Sequence, residues 1–488
     1  LLQYPVWREK FRPVGGHMWD IELMKQSELS LSRQLFHHIR TLILDNRLTA
    51  GEALPSSRYL AKDLSVSRST VSEAYDMLIA EGYVVSRQGA PTRVREGLCL
   101  KKVRQKVKDS DIDEPAENFP VDFKTGQPDV STFPYYVWKQ MLDRSQNKLR
   151  ERDFGYYNTA GYGPLREEIG QWLFRMRGIT VEPDNIFITT GTTQAINILV
   201  HMLYKEGMPF AVEDPCHKAI IELLKLRGAA YTGFPADNNG LITELLDRRG
   251  YSAIYVTPSH QFPLGGILPA RRRAELIRYA GEQGTYIIED DYDSEFRYTG
   301  APISPLYSMD SEWVIYTGTF SKIMYPALRI GFVLLPPNLK KKWLHTRKYF
   351  DVQNPITEQA ALAEFLYQRK LDNYVQKLSR LYSEKRNILT ESLAQNFQGK
   401  EQLLGDRAGL HLVLQIEGKR FEKDFIHKSQ ALGIRAYPVE EYCLTKGLHS
   451  DKLMLGYGHL AIKAISENVR VLSEFIKSYG SFDGSPGL

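Results

Sequence analysis

Four groups of residues between positions 191 and 329 of this 488-residue chain have the types and order needed for amine–carbonyl chemistry. Lys322 closes Gly318-Thr319-Phe320-Ser321-Lys322 just after an apolar run, so its amine can project at the C-terminal end of a strand. Asp290 and Tyr292 follow a second apolar run in Ile288-Glu289-Asp290-Asp291-Tyr292-Asp293. Gly191-Thr192-Thr193-Gln194 separates a strand from an amphipathic helix over 195–203, where amides and hydroxyls can meet a phosphate. A pyridoxal phosphate (PLP) site needs a lysine to form an imine and a carboxylate to keep the pyridine nitrogen protonated. It also needs a phenol near the ring hydroxyl and a phosphate cradle. Lys322, Asp290 and Tyr292 suit the first three needs, and Thr192, Thr193, Thr319 and Ser321 suit the cradle. Arg329 adds a bidentate, charge-assisted contact to it. Taken singly, each piece is an ordinary loop, cap or surface pair; their order and strand-end placement make the site.

The elements that must position these residues follow a regular rhythm. Short apolar runs over 185–190, 252–256, 286–289, 313–316 and 331–335 alternate with helical stretches. That pattern predicts an α/β domain, a mostly parallel sheet covered by helices on both faces. The domain is expected over 120–480, with a large lobe over about 120–345 and a smaller α+β lobe over about 355–480.

A second chemistry precedes it, in a domain expected over 21–95. Leu31, Leu35, Ile39 and Leu42 give an opening helix its apolar face. Pro55 precedes a short helix capped by serine, and Ser65-Val66-Ser67 leads into another whose buried face is Val71, Ala74, Tyr75, Leu78 and Ile79. Gly82 ends that helix, and the runs 83–86 and 92–94 form a hairpin wing. This is a winged helix-turn-helix, whose second helix enters the major groove of double-stranded DNA. With the apolar face inward, Ser67, Arg68 and Thr70 point outward, suited to phosphate and guanine. Ser56 and Arg58 on the preceding helix and Arg87 in the wing add contacts.

Composition bounds the alternatives. A net charge of +5 permits nucleic-acid binding without demonstrating it, and 43% hydrophobic residues are ordinary for a soluble protein. Cys99, Cys216 and Cys443 are too few and too scattered for a disulfide framework or a zinc site, which fits a cytoplasmic protein with no metal. No run approaches the ~20 apolar residues of a membrane span. The first seventeen residues lack the features of a secretory signal; Gly15-Gly16-His17 reads as a cloning remnant, with the native start at Met18. Residues 96–119, basic and then acidic, read as a linker.

Leu54-Pro55-Ser56-Ser57-Arg58-Tyr59-Leu60-Ala61 and Val66-Ser67-Arg68-Ser69-Thr70-Val71 resemble the signature of the GntR bacterial repressors. The wing, Gly89-Ala90-Pro91-Thr92-Arg93-Val94, departs from that family's usual Gly-x-Gly-Thr-Phe-Val. Residues 120–480 resemble fold-type I aminotransferases. With Pro258-Ser259-His260-Gln261-Phe262-Pro263 and 289–296, the chain is identified as a member of the MocR subgroup of GntR regulators. The resemblance implies that Lys322 forms the Schiff base, Asp290 meets the pyridine nitrogen, Tyr292 the ring oxygen and Arg329 the phosphate. It places His217 against the ring and implies a domain-swapped homodimer in which Tyr156 or Tyr157 reaches the partner's cofactor.

One departure bears on the ligand. His459, in Leu455-Gly456-Tyr457-Gly458-His459, stands where aminotransferases carry the arginine that forks a substrate carboxylate, and Ala219 stands where the GABA-responsive branch has a second arginine. Arg407 is the candidate to compensate. The expected function is a PLP-dependent transcription regulator that uses an aminotransferase-like fold as a sensor. Its signal is PLP itself, as in members controlling vitamin B6 synthesis, or an amine or amino acid that displaces Lys322. The rival is a working aminotransferase with an accessory DNA-binding domain.

Overall fold

The computed structural model describes Trp19 and residues 21–98, 119–156, 159–300 and 303–479. The expected linker lies almost wholly outside the described residues, as do Cys99, Tyr157 and the proposed native start. Internal packing divides the chain into two compact units, one up to Pro115 and one from Ala116 onward.

In the first unit three helices, Leu31–Leu44, Ser57–Asp63 and Arg68–Ala80, close on a core of Leu35, Ile39, Leu60, Val71, Ala74 and Leu78. Serines start all three: Ser30, Ser56 and Ser67 each accept a backbone N–H of the first turn. Tyr75 is buried and donates its phenol proton to Pro55 O at 2.8 Å, locking the third helix against the turn before the second. Ile79, expected inside, is 38% exposed. It lies about 80° around the helix from Val71, past the edge of the buried stripe. The wing is an antiparallel pair, Val84–Val85 with Arg93–Val94, braced by Leu54 N–H donating to Thr92 O.

The second unit is built on an eight-stranded sheet. Its order is Ile186–Thr189, Gly331–Leu334, Val314–Thr319, Tyr286–Asp291, Ala253–Val256, Phe210–Asp214, Tyr231–Asp237 and Gly240–Leu241. Gly331–Leu334 runs antiparallel to both neighbours and Gly240–Leu241 turns back on its predecessor; the other pairings are parallel. Ala253–Val256 and Val314–Thr319 in the middle of the sheet, and Ile186–Thr189 at its edge, are buried along their length, which explains why they read as unbroken apolar runs. The strands Phe210–Asp214 and Tyr231–Asp237 escape a sequence reading: one ends in two acids and the other contains Gly233 and Pro235.

A smaller antiparallel sheet, Glu401–Leu404, His411–Ile416, Lys452–Gly456 and Tyr437–Pro438, packs with the helices Lys370–Phe397 and Ile462–Ser478. Val121–Asp122, at the start of the unit, pairs in parallel with Ile434–Arg435 near its end. This return brings residues 122–127 alongside Gly456 and Gly458, where an added Cβ would stand 2.1 and 2.4 Å from the backbone oxygens of Lys124 and Gln127. Cys216 and Cys443 are buried free thiols. No helix among the described residues is long and apolar enough to cross a membrane.

Candidate functional site

A cavity of about 240 Å3 opens at the C-terminal ends of the parallel strands. Lys322, Asp290, Tyr292, Thr192, Thr193, His217, Thr319, Ser321 and Arg329 all line it, so the structure brings every residue predicted for the cofactor into one cleft.

Asp290 sits one residue from the end of its strand, in register beside Thr317. Its carboxylate accepts from Tyr255 Oη at 2.6 Å and from Thr317 Oγ1 at 3.0 Å. Burial lifts its pKa to about 6, against the pull of the two hydroxyls and Lys322. A buried anion with a raised pKa gains most from a cationic N–H partner. Lys322 donates to Gly126 O at 2.6 Å, and burial lowers its pKa against the attraction of Asp293 and Asp290. Gly126 has φ +68°, and a Cβ there would stand 2.7 Å from the lysine nitrogen.

The phosphate end is built from backbone. Gly191, at φ +118°, precedes the helix Thr192–Leu203, whose first turn has no side-chain cap. Thr192 Oγ1 is buried there with no hydrogen-bond partner, and the Arg329 guanidinium stands 3.4 Å from where a Gly191 Cβ would lie. Arg329 itself holds left-handed backbone, φ 53° and ψ 46°. An orphaned hydroxyl, uncapped helix amides and a guanidinium at one point fit a phosphate dianion. His217 caps the helix Lys218–Arg227, its Nδ1 accepting Ala219 N–H at 3.1 Å. His217 is exposed at the wall of the cleft, where the groups packed around its ring and Lys322 lower its pKa to about 4; the ring lies 5.0 Å from that of Phe262.

The cleft also holds groups that the sequence reading did not assign. Tyr292 Oη donates to His260 O at 3.0 Å and lies 3.2 Å from His260 Nδ1, which in turn bonds Asp293 at 3.0 Å. His411 packs its ring 5.0 Å from that of His260, with Nε2 on Pro263 O at 3.0 Å. Burial and His260 push its pKa to about 4. Among the described residues His260, Asp293 and His411 are the one cluster of metal-ligating types, and each is held by these protein partners. Thr317 and Tyr255 were within reach of period-two counting along their strands. The histidines come from distant segments and gave no such signal.

At the departure noted above, His459 is half-buried, lines no part of the cavity, and shares Nε2 with Asp122 O at 3.1 Å. Burial lowers its pKa, which keeps it uncharged. Arg407 is exposed and lies off the cavity wall, so it does not compensate; Ala219 does line the cavity.

In the first unit Ser56, Arg58, Ser67, Arg68 and Arg87 are exposed and Thr70 is half-buried. Ser67 Oγ accepts Thr70 N–H at 3.0 Å and bonds the hydroxyls of Ser69 and Thr70 at 2.7 and 2.8 Å. Arg68 Nε reaches Ser57 Oγ at 3.4 Å, which draws its guanidinium toward the start of the second helix. Hydroxyls and arginines therefore gather where two helices begin.

Residues 31–94 match the family of bacterial regulatory proteins of the gntR type, and residues 120–437 match aminotransferase class I and II. The chain is 32% identical to the HTH-type pyridoxine biosynthesis transcriptional regulator PdxR of Corynebacterium glutamicum, covering 81% of this chain and 85% of that one. It is 29% identical to the probable rhizopine catabolism regulatory protein MocR of Rhizobium meliloti, covering 92% and 94%. Among solved structures, the α-aminoadipate aminotransferase LysN of Thermus thermophilus, complexed with N-(5'-phosphopyridoxyl)-L-leucine, superposes with a TM-score of 0.67 at 25% identity. That match covers 76% of this chain and 95% of the other. The chain belongs to the regulators of the MocR and PdxR type, a GntR helix-turn-helix domain joined to an aminotransferase class I and II domain of the PLP-dependent fold.

Proposed function

We propose that this DNA-binding regulator senses PLP itself in its aminotransferase-like cleft, controlling genes of PLP synthesis, and that it works in the cytoplasm as a domain-swapped homodimer. PLP would supply an aldehyde, and Lys322 is the amine placed to take it. Asp290 would hold the proton on the ring nitrogen, Tyr292 would face the ring oxygen and His217 would cover the ring. Thr192, Thr193, Thr319, Ser321 and Arg329 would hold the phosphate. Ser56, Arg58, Ser67, Arg68, Thr70 and Arg87 grip DNA, and the dimer presents two such heads to a repeated operator.

The observation that carries the choice of signal is the lining of the cleft. Its one arginine among the described residues is Arg329, which the phosphate would take, while His459 is engaged with Asp122 O off the cavity wall; this supports a site that keeps the cofactor but has no fork for a substrate carboxylate. This favours sensing over turnover of amino acids. A ligand shifts an equilibrium only through different contacts in the two states, so PLP must change operator affinity. The test is a gel shift of the full chain on its own upstream region, with and without PLP, paired with the absorbance spectrum. A bound visible band with identical operator affinity in both forms would overturn the proposal, as would steady transamination of common amino acids.

A further inference from the structure

Behind the phenol of Tyr292 lies a buried pair that the cofactor assignment leaves unused. His260 is 2% exposed and Asp293 1% exposed. We propose that His260 and Asp293 are positioning residues: held as an ion pair against Tyr292, they set how strongly its phenol donates a hydrogen bond into the cleft. This rests on the PLP reading above.

The charge state follows from geometry. His260 Nδ1 faces the Asp293 carboxylate at 3.0 and 3.2 Å, and Nε2 faces the carbonyl of Gly405 at 3.3 Å. Both partners accept, and an imidazole meets two acceptors only when both nitrogens carry protons. The neighbouring ring, His411, spends Nε2 on Pro263 O and stays neutral. Burial works against a charge on His260, but the Asp293 carboxylate outweighs it, assisted by Gly405 O and Asp291, and the pKa ends above the ordinary value.

The pair is sealed in place by the small lobe. A Cβ on Gly409 would stand 2.3 Å from both His260 Cε1 and Asp293 Oδ2, and one on Gly265 would stand 3.1 Å from His260 Nε2. Leu410 N–H adds a bond to Asp293 at 3.3 Å. Only glycine backbone lets residues 405–411 lie this close, so the ring has no room to turn away.

Tyr292 Oη therefore lies 3.2 Å from a positively charged N–H. Asp293, Asp290, Glu213 and Asp291 all resist loss of the phenol proton, after burial itself. His260 is the opposing charge in contact with the hydroxyl. In the empty cleft Tyr292 gives its one proton to His260 O. With PLP bound the phenol would turn that proton to the ring oxygen, and polarised by the imidazolium it would donate more strongly, lowering the pH at which the bound chromophore gives up its own proton. Without the imidazolium, Asp293 is left uncompensated and that proton is kept to higher pH.

The experiment uses the full chain saturated with PLP and follows its visible absorbance against pH in the parent, His260→Gln and Asp293→Asn, with circular dichroism as the control for folding. In His260→Gln the midpoint of the visible band should rise by about one pH unit, the lower end of what one nearby charge does. In Asp293→Asn it should rise by less, because His260 then loses its proton as well. In a Tyr292→Phe background His260→Gln should move the midpoint less than it does in the parent, since it acts through the phenol. A structural role alone would lower thermal stability and leave the midpoint in place. Unchanged or lowered midpoints in folded, coloured variants overturn the proposal. So does loss of colour in folded variants, which would make these residues part of binding. If His260→Gln does not fold, Asp293→Asn alone decides. A colourless parent sinks the PLP reading instead.

Discussion

Lys322 and Asp290 carry separable parts of the site, and their variants should separate them. Lys322→Ala should abolish the visible band and the label fixed by borohydride while leaving nonspecific DNA binding unchanged; loss of both together would mean an unfolded protein. Asp290 titrates on folding. Its pKa rises on burial from 3.8 to about 6, so its contribution to stability is complete below the lower value and is lost as pH climbs through the upper one. Glu213 and Glu289, each raised to about 7 chiefly by burial, act in the same direction. Asp290→Asn removes one of these titrations. Between pH 5 and 8 the cofactor-free parent should therefore lose about 1 kcal/mol relative to the variant in urea unfolding. Parallel pH profiles for the two proteins would contradict the burial argument.

Helix starts and loop clasps make the next level. Ser67→Ala removes the cap of the helix Arg68–Ala80 and should cost about 1 kcal/mol of the first unit's stability. Arg68→Ala removes no cap. It should leave melting unchanged and the cofactor spectrum intact while weakening operator binding by about 1–3 kcal/mol, measured by gel shift. In the second unit Gly191→Ala forces a side chain into φ +118° beside Arg329, and PLP affinity should fall by about five- to 150-fold, corresponding to about 1–3 kcal/mol of backbone strain, by spectral titration. The loop that carries His217 is clasped by the small lobe. Asp214 accepts Leu444 and Thr445 N–H at 2.8 and 2.9 Å, and Cys216 N–H donates to Tyr442 O. Gly233 makes room for this clasp, since a Cβ there would stand 2.8 Å from Leu444 Cδ1.

For the molecule as a whole, joining a reading head to a cleft creates a regulator only if binding at one end alters the other. The full chain should sediment as a dimer, and PLP should change its affinity for an operator with two half-sites more than its affinity for one isolated half-site. Equal effects on both DNAs would leave the heads uncoupled. His459 bears on the whole molecule in the same way: His459→Arg restores a cation beside Asp122, yet the imidazole position lies off the cavity wall. Amino acids should therefore bleach the visible band no faster in the variant than in the parent.

Much of this was legible in the chain. Capping serines, Pro55 and the apolar stripe define the first unit because these signals act within a few residues. Lys322, Asp290, Tyr292 and the Gly191 turn were readable because parallel strands deliver their C-terminal ends to one edge, so strand-end residues meet by rule. The tertiary structure alone decided the rest. Ile79 left the core because the stripe is narrower than the run of apolar residues. Tyr231–Asp237 became a strand despite Gly233 and Pro235 because a neighbouring strand supplied the pairing. His260 met Tyr292 and Asp293 between two loops of the large lobe, while Gly126 reached Lys322 and His411 reached Pro263 from the far ends of the unit. Contacts between segments more than a hundred residues apart leave no periodic trace, since packing and not spacing brings them together.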